Sequence, residues 1–76
     1  MKDLVEFLAQ ELVDDPDAVI VTESADDRGP RYSVQVGAGD MGKVIGRGGR
    51  TAKAIRTVVR AAAARQDVGA IVDFVD

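Results

Sequence analysis

The 76-residue sequence predicts a small α+β fold with the element order αββααβ, and three observations carry this prediction. An amphipathic helical pattern opens the chain, two β-branched segments joined by turn residues follow it, and a second helical pattern precedes a last apolar segment. Strands with one apolar face need a cover, and helices that are apolar on one side can supply it. We therefore expect a three-stranded sheet with three helices on one face.

The N-terminal helix is predicted over residues 2–13. Its apolar side chains Leu4, Val5, Leu8 and Leu12 recur at helical spacing and define one stripe, which Phe7 widens. Pro16 lies shortly beyond, and because the residue before a proline avoids the α conformation, the helix ends ahead of it. The polar face carries Glu6 and Glu11, whereas a helix on a membrane surface would carry basic residues there. The helix is therefore expected to pack on the sheet, and no membrane contact is expected.

The strands are predicted from β-branched and alternating residues. A hairpin over residues 18–37 has three parts: a strand at Val19–Thr22, turn residues at Ala25–Pro30 and a strand at Arg31–Val36. Alternate residues of the second strand are expected on the core face: Tyr32, Val34 and Val36. The last strand is predicted over residues 69–75, with Val72 and Phe74 facing inward.

Two helices and the loop between them are predicted within residues 40–66. Asp40 is expected to cap a short helix at Met41–Ile45, and a long helix follows at Thr51–Gln66. The long helix has one mainly apolar stripe at helical spacing: Ile55, Val58, Val59, Ala62 and Gln66. Its Ala61–Ala64 segment keeps the surface slim, which permits close packing by a partner, although the high helix propensity of alanine explains the segment equally well.

The loop between these helices, Gly46-Arg47-Gly48-Gly49, combines backbone freedom with positive charge. Glycine tolerates positive φ and has no Cβ, so another backbone can come close to it. Arg47 supplies a cation at that point, and the amides at the start of the long helix add donors and a positive dipole end. An anionic phosphodiester backbone fits such a site. The alternative interpretation is that the glycines only form a turn between two helices.

The charges are segregated along the chain, although the net charge is −3. The segment 42–66 contains no acidic residue and seven basic ones: Lys43, Arg47, Arg50, Lys53, Arg56, Arg60 and Arg65. The rest of the chain holds the other three basic residues and all 13 acidic ones, so a charge of +7 stands against −10. A solvated helix face usually mixes signs to form i,i+4 pairs. The segregation therefore predicts a local cationic face on an acidic protein.

Composition and context exclude several kinds of chemistry. The sequence has no cysteine and no histidine, which removes thiolate sites and the commonest general base. Gly37–Gly42 has the spacing G-x-G-x-x-G, but a dinucleotide fold needs a full helix next and an acidic residue about 20 residues on, where this chain has Arg60. A P-loop is approached from Gly37 to Lys43, but Val44 replaces the magnesium-binding hydroxyl. We expect no catalytic residues, metal site, cofactor or small-molecule substrate.

The residues around the loop resemble the KH domain signature, in which Ile-Gly-x-x-Gly stands between two helices. Ile45, Gly46 and Gly49 occupy the fixed positions, and Arg47 and Gly48 are the variable pair. The resemblance extends over essentially the whole chain and is closest to the small bacterial KH proteins of the KhpA (YlqC-like) family. It implies a type II KH fold with residues 1–76 as a single domain.

The resemblance also implies a function and a set of site residues. A KH loop clamps the backbone of single-stranded RNA while bases lie on an apolar floor between the helices and the sheet. Transferred to this chain, the RNA-binding residues are Lys43, Ile45, Gly46, Arg47, Gly48, Gly49, Arg50 and Lys53, with Arg56 and Arg60 as secondary candidates. With Gly48 the loop has one cation where many KH loops have two polar or basic residues, so affinity is expected to depend on Arg50 and Lys53.

Partners and location follow from the same resemblance. It implies an RNA chaperone-like protein that forms a homodimer, or a heterodimer with a larger Jag-type KH protein, with links to cell shape, elongation and cell wall organisation. A cytoplasmic location is expected, because the chain opens without a signal-like apolar run and no stretch approaches the roughly 20 apolar residues that span a bilayer. The alternative is a protein–protein adaptor or dimerisation module in which RNA binding is incidental.

Overall fold

The computed structural model describes residues 1–75 and contains the predicted elements in the predicted order. Two short 3₁₀ turns, at Pro16–Ala18 and Arg47–Gly49, accompany them. The helices and strands are α1 (Lys2–Leu12), β1 (Ile20–Asp26), β2 (Gly29–Gln35), α2 (Met41–Ile45), α3 (Arg50–Ala64) and β3 (Ile71–Val75). The α+β order inferred from periodicity is therefore confirmed.

The sheet is mixed, with β2 in the centre of the order β1-β2-β3. β1 and β2 form the antiparallel hairpin, in which Val21 lies opposite Val34. β2 and β3 are parallel, and Tyr32 lies opposite Val72. Parallel neighbours need a crossover connection, and the segment containing α2, the glycine loop and α3 provides it. The site residues thus belong to the connection that joins the two parallel strands.

The core lies between one face of the sheet and the helices. Strand residues that are opposite each other share a face, so the buried pairs Val21–Val34 and Tyr32–Val72 define the inner face. The helices and the segment before β3 cover it with Val5, Ala9, Ile55, Val59, Ala63 and Ala70. Phe74 packs against this cluster from β3, so the predicted inward orientation of Val72 and Phe74 is confirmed.

The hairpin is longer than the sequence suggested. Turn residues were expected over Ala25–Pro30, but the strands remain paired from Ala25–Pro30 to Asp26–Gly29, and only Asp27 and Arg28 form the turn. Gly29 has a φ of 119°, and a Cβ there would lie 2.9 Å from the carbonyl oxygen of Gly69. The hairpin tip and the segment before β3 therefore come into close contact at Gly29 and Gly69, where neither segment has a side chain.

The buried stripe of α3 differs from the predicted one. Its buried residues are Ala52, Ile55, Val59 and Ala63, whereas Val58 is 47% exposed and Ala62 is only half-buried. Val59, with Ile55 and Ala63 four residues away on either side, lies at the centre of the buried face, and Val58 points about 100° away from it. Gln66 lies beyond the helix and is exposed. The prediction of Val58 and Gln66 as stripe residues was wrong, because the buried face of α3 follows Ile55, Val59 and Ala63 and leaves Ala62 at its margin.

Candidate nucleic-acid interface

The glycine loop joins α2 to α3 within four residues. Gly46 has φ 76° and ψ 171°, and its amide still donates to the carbonyl of Gly42 at 2.8 Å. Gly48 (φ 64°, ψ 19°) and Gly49 (φ 77°, ψ 12°) both adopt left-handed conformations. Three of the four loop residues therefore have the positive φ that glycine adopts without strain.

The glycines differ in what surrounds them. A Cβ on Gly46 would lie 2.8 Å from the backbone nitrogen of Thr51, so the first turn of α3 packs directly against this residue. No atom lies within 4 Å of a Cβ placed on Gly48 or Gly49. Gly46 is thus the packing glycine, and Gly48 and Gly49 leave their backbone open to an approaching molecule.

The start of α3 adds donors at the same place. α3 begins at Arg50 directly after Gly49, and no side chain in the described part of the chain caps its first turn. The first amides of a helix have no partner within the helix, and the helix dipole makes this end positive. An anionic group beside Gly49 would therefore meet backbone donors as well as side-chain cations.

The cations predicted from the sequence surround this loop. Arg47 stands in it, Arg50 and Lys53 lie in the first turn of α3, and all three are exposed. Lys43 and Ile45 belong to α2, and Ile45 is half-buried. The structure thus places the eight predicted primary residues on one continuous segment of α2, loop and α3.

The secondary candidates lie further along α3 and differ from each other. The Nε of Arg56 donates to the carbonyl oxygen of Val72 at 3.0 Å, and its guanidinium carbon lies 5.5 Å from the centre of the Phe74 ring. Arg60 is exposed. At about 100° per residue, Lys53 and Arg60 lie within about 60° of Arg56 around the helix. Since Arg56 contacts β3, this basic side of α3 faces the β3 side of the molecule.

Asp14 forms an ion pair with Lys43, a contact that the sequence did not predict. The Nζ of Lys43 and the Oδ2 of Asp14 are 3.4 Å apart. Asp40, which is 4% exposed, accepts the backbone N–H of Asp15 at 3.1 Å and so holds the Asp14 segment beside α2. Asp40 occupies the N-cap position of α2 as predicted, but its side chain makes no capping hydrogen bond there.

Comparison with known proteins assigns the chain to a family. The sequence profile described as "KhpA/KhpB, KH domain" matches residues 2–74. The chain belongs to this KH-domain family. A protein named "RNA-binding protein KhpA" from Halalkalibacterium halodurans is 50% identical over 76 residues, which cover 100% of both chains. The protein of the same name from Clostridium perfringens is 47% identical over 75 residues, 99% of this chain and 100% of its own.

A third relative shows a similar level of identity. A Mycobacterium bovis protein, also named "RNA-binding protein KhpA", is 49% identical over 74 residues, which cover 97% of this chain and 89% of its own. No solved structure matches the chain at a significant level. Members of the KhpA/KhpB family are RNA binders without catalytic activity, so the predictions of a type II KH fold and of a non-enzymatic protein are confirmed.

Other features of this KhpA/KhpB-family chain point to no second kind of site. Among the side chains that the structure describes, which do not include that of Asp26, no three acidic groups are placed as a metal site requires. No helix within residues 1–75 is both long and apolar enough to cross a membrane. An open groove of about 500 Å³ lies at the hairpin tip, lined by Glu23, Ser24, Ala25, Gly29 and Pro30. The glycine loop remains the place where backbone donors and cations converge.

Proposed function

We propose that this chain is a non-catalytic protein that binds single-stranded RNA through the Gly46–Gly49 loop. One observation carries the proposal: two left-handed glycines, at which an added Cβ would meet no atom within 4 Å, stand directly before the N-terminus of a 15-residue helix, beside an exposed arginine. A phosphate could approach the backbone there more closely than at any residue with a side chain. The relatives named RNA-binding protein KhpA support the same assignment.

Each residue of the proposed site has a physical role. Gly46 lets the loop pack closely against α3, and Gly48 and Gly49 allow the RNA backbone to approach the loop. Arg47 supplies the charge within the loop. Further phosphates meet the neighbouring cations Lys43, Arg50 and Lys53, and a base rests on the half-buried Ile45. Arg56 and Arg60 are secondary contacts along α3, and Arg56 reaches the RNA from a position fixed by β3.

Aromatic stacking contributes little in this proposal. Tyr32 is buried, and Phe74 is half-buried with the Arg56 guanidinium over its ring. Affinity therefore depends on phosphate contacts and falls with salt. With roughly three to four phosphates neutralised, the plot of log K against log salt should have a slope of about −2 to −3 for a single strand. Duplex RNA, whose bases are stacked and paired, should bind more weakly.

The wider role follows the family resemblance. The chain acts as a cytoplasmic, RNA chaperone-like single KH domain, as a homodimer or together with a larger Jag-type KH protein, in post-transcriptional regulation linked to cell elongation, cell shape and cell wall organisation. An adaptor function with incidental RNA binding is the second candidate, and the exposed Phe7 and Val58 favour it. RNA crosslinking in cells distinguishes the two, because an adaptor would yield little crosslinked RNA.

The site is tested by changing Arg47→Asp and Gly48→Asp together. The local charge falls by three, and the new carboxylates lie where phosphates would come, within one Debye length of about 10 Å at 0.1 M salt. Loss of charged hydrogen bonds, each worth about 1.5–3 kcal/mol, should abolish binding in a fluorescence anisotropy titration. Stability should fall by about 1 kcal/mol, since Gly48 is left-handed but has open space for a side chain that tolerates this conformation.

The matched control is Arg65→Asp, which reverses an exposed arginine at the other end of α3. It should reduce affinity by no more than about threefold, because it is separated from the loop by about 22 Å of helix. If the double variant melts close to the wild type and still binds RNA fully, the loop is only structural and the proposal is wrong. If the double variant unfolds, Arg47→Asp alone gives the same test without backbone strain.

A further inference from the structure

Arg56 is a basic residue of α3 whose side chain is held by another part of the fold. Its Nε donates to the carbonyl oxygen of Val72 at 3.0 Å, and its guanidinium carbon lies 5.5 Å from the centre of the Phe74 ring. Both partners belong to β3, an edge strand of the sheet. Arg56 is half-buried, whereas the other basic residues of α3 are exposed: Arg50, Lys53 and Arg60. The Arg56 guanidinium is therefore oriented before any RNA arrives.

The guanidinium of Arg56 offers a ligand hydrogen-bond donors in a fixed plane. A guanidinium is planar, carries its N–H donors in a rigid fork and has no acceptor. The carbonyl of Val72 occupies the Nε–H, and the Phe74 ring lies under the guanidinium. Among the residues that the structure describes, the two terminal nitrogens have neither a hydrogen-bond partner nor a carboxylate at ion-pair distance. A ligand beside β3 thus meets two free donors side by side.

The position of Arg56 lets a base reach it while the strand is held by the Gly46–Gly49 loop. Arg56 follows Gly49 by seven residues, which is about 10 Å along α3. Lys53 lies between them on the same side of the helix, within about 60° of Arg56. A KH loop contacts about four nucleotides of the strand. The bound strand therefore extends far enough for one of its bases to lie against Arg56 and β3.

We infer that Arg56 is a specificity-determining residue that selects a base with two adjacent hydrogen-bond acceptors. Guanine presents O6 and N7 in this way, and cytosine presents O2 and N3. In adenine the N6 amino group, and in uracil the N3–H, is a donor that separates the acceptors and would face the donors of Arg56. This inference rests on the proposed RNA binding at the loop and adds which bases are preferred there.

The burial of Arg56 favours a base over a phosphate as its partner. Lys53 and Arg60 are exposed on the same side of α3 and can follow the charged backbone of the strand at the surface. Arg56 lies deeper, against β3. A base is flat and largely apolar, so it loses less on entering a half-buried place than a hydrated phosphate does. The contact then carries sequence information, whereas a phosphate contact carries none.

Competition binding followed by fluorescence anisotropy tests this preference. The strands are short oligouridines of equal length, either unchanged or with one internal uridine replaced by guanosine, cytidine or adenosine. The guanosine and cytidine strands should bind at least about fivefold more tightly than the other two, which is the lower end of what a bidentate arginine contact provides. Replacing guanosine by 7-deazaguanosine removes N7, and replacing cytidine by 3-deazacytidine removes N3, so each should abolish the advantage.

Two protein variants assign the preference to this side chain. Arg56→Lys keeps the charge but lacks the fork, so it should reduce the advantage to below about twofold. Its affinity for oligouridine, which is bound through phosphates, should fall less. Arg65→Lys is the control, because it makes the same change at an exposed arginine near the C-terminal end of α3, and it should keep the advantage. The deaza strands are tested with the unchanged protein, so they can refute the inference even if Arg56→Lys folds poorly.

The outcomes separate this inference from the proposed function. An advantage of guanosine alone or of cytidine alone supports the inference and identifies the base edge that is bound. Equal binding of all four strands, or deaza strands that bind like their parents, overturns it and leaves RNA binding by the loop standing. Equal preference for both purines also overturns it and indicates stacking on the guanidinium. An Arg56→Lys variant that loses affinity for every strand alike indicates a phosphate contact and has the same consequence. If the wild type binds none of the strands, the proposed function fails and the inference fails with it.

Discussion

Replacing Gly46 by alanine should destabilise the fold more than any other change in the glycine loop. The backbone at Gly46 (φ 76°, ψ 171°) lies in a region that is essentially restricted to glycine, and another residue there costs about 1–3 kcal/mol. The new Cβ would also lie 2.8 Å from the Thr51 nitrogen. An overlap of this kind costs about 1–3 kcal/mol, because α3 must shift. The two contributions together give about 4 kcal/mol.

That loss is large for a protein of this size. At about 0.05–0.15 kcal/mol per residue, a chain of 76 residues has a free energy of unfolding of about 4–11 kcal/mol. Gly46→Ala should therefore remove a third or more of the stability and lower the melting temperature by well over 10 °C, since about 1 kcal/mol corresponds to about 4–8 °C in domains of this length.

Two other glycines serve as internal controls. Gly48 is also left-handed, but a Cβ there would meet no atom within 4 Å, so Gly48→Ala should cost only about 1–2 kcal/mol. Gly42 lies within α2 without positive φ and with open space beside it. Gly42→Ala should therefore stabilise the protein by about 0.5–1 kcal/mol. From most to least stable, the expected order is Gly42→Ala, wild type, Gly48→Ala and Gly46→Ala.

Urea unfolding followed by far-UV circular dichroism measures these differences. The slope of unfolding free energy against urea should stay constant across the series, so that the midpoints report stability alone. If Gly46→Ala is no less stable than Gly48→Ala, the close packing of the loop on Thr51 does not exist in solution, and the argument for Gly46 as the packing glycine fails.

Two further predictions concern electrostatics. Asp14→Asn frees Lys43 from its ion pair and should raise RNA affinity about two- to fivefold, consistent with about 0.2–1 kcal/mol for an exposed pair. Asp17→Asn is the control, because it makes the same charge change without that contact. An equal gain in affinity for Asp17→Asn would contradict the specific role of Asp14. Burial, and secondly the charge of Glu23, raise the pKa of Tyr32 above its ordinary value of 10.0. The free energy of unfolding should therefore stay constant up to about pH 10 and fall above it, because the phenol ionises more readily in the unfolded chain than in the folded one. The pH-dependent melting temperature of Tyr32→Phe should lack this fall, and identical profiles for the two proteins would disprove the role of the phenol.

The sequence was sufficient for the elements whose signals are local. Alternation placed Tyr32 and Val34 on the inner face of β2, and the glycines with their flanking residues located the loop. The errors arose where tertiary packing decides. Val58 is as hydrophobic as Val59, and only the packing of α3 in the core, where Val59 lies with Ile55 and Ala63, determines which of them is buried.

The candidate site shows the same limit. The cations next to the loop in sequence are next to it in space, because α3 continues directly from the loop. The contact between Lys43 and Asp14 and the contact between Arg56 and Val72 join distant parts of the chain. No periodicity or motif encodes such pairs. Predicting them requires the position of α2 beside the α1–β1 connection and of α3 beside β3.

The net charge of the chain is a poor guide to its behaviour towards RNA, and the dimensions of the molecule explain why. The molecule extends 34 Å along its longest axis, whereas charges are screened over about 8 Å at physiological salt. The hairpin tip approaches Gly69, beyond the C-terminal end of α3, and the loop precedes its N-terminal end, about 22 Å away along the helix. A phosphate at the loop therefore responds to Arg47 and Arg50 and hardly to Asp27 in the hairpin turn. Asp14 is an acidic residue that reaches a loop-flanking cation directly, and for this reason a single amide substitution there should change affinity more than the overall charge of −3 suggests.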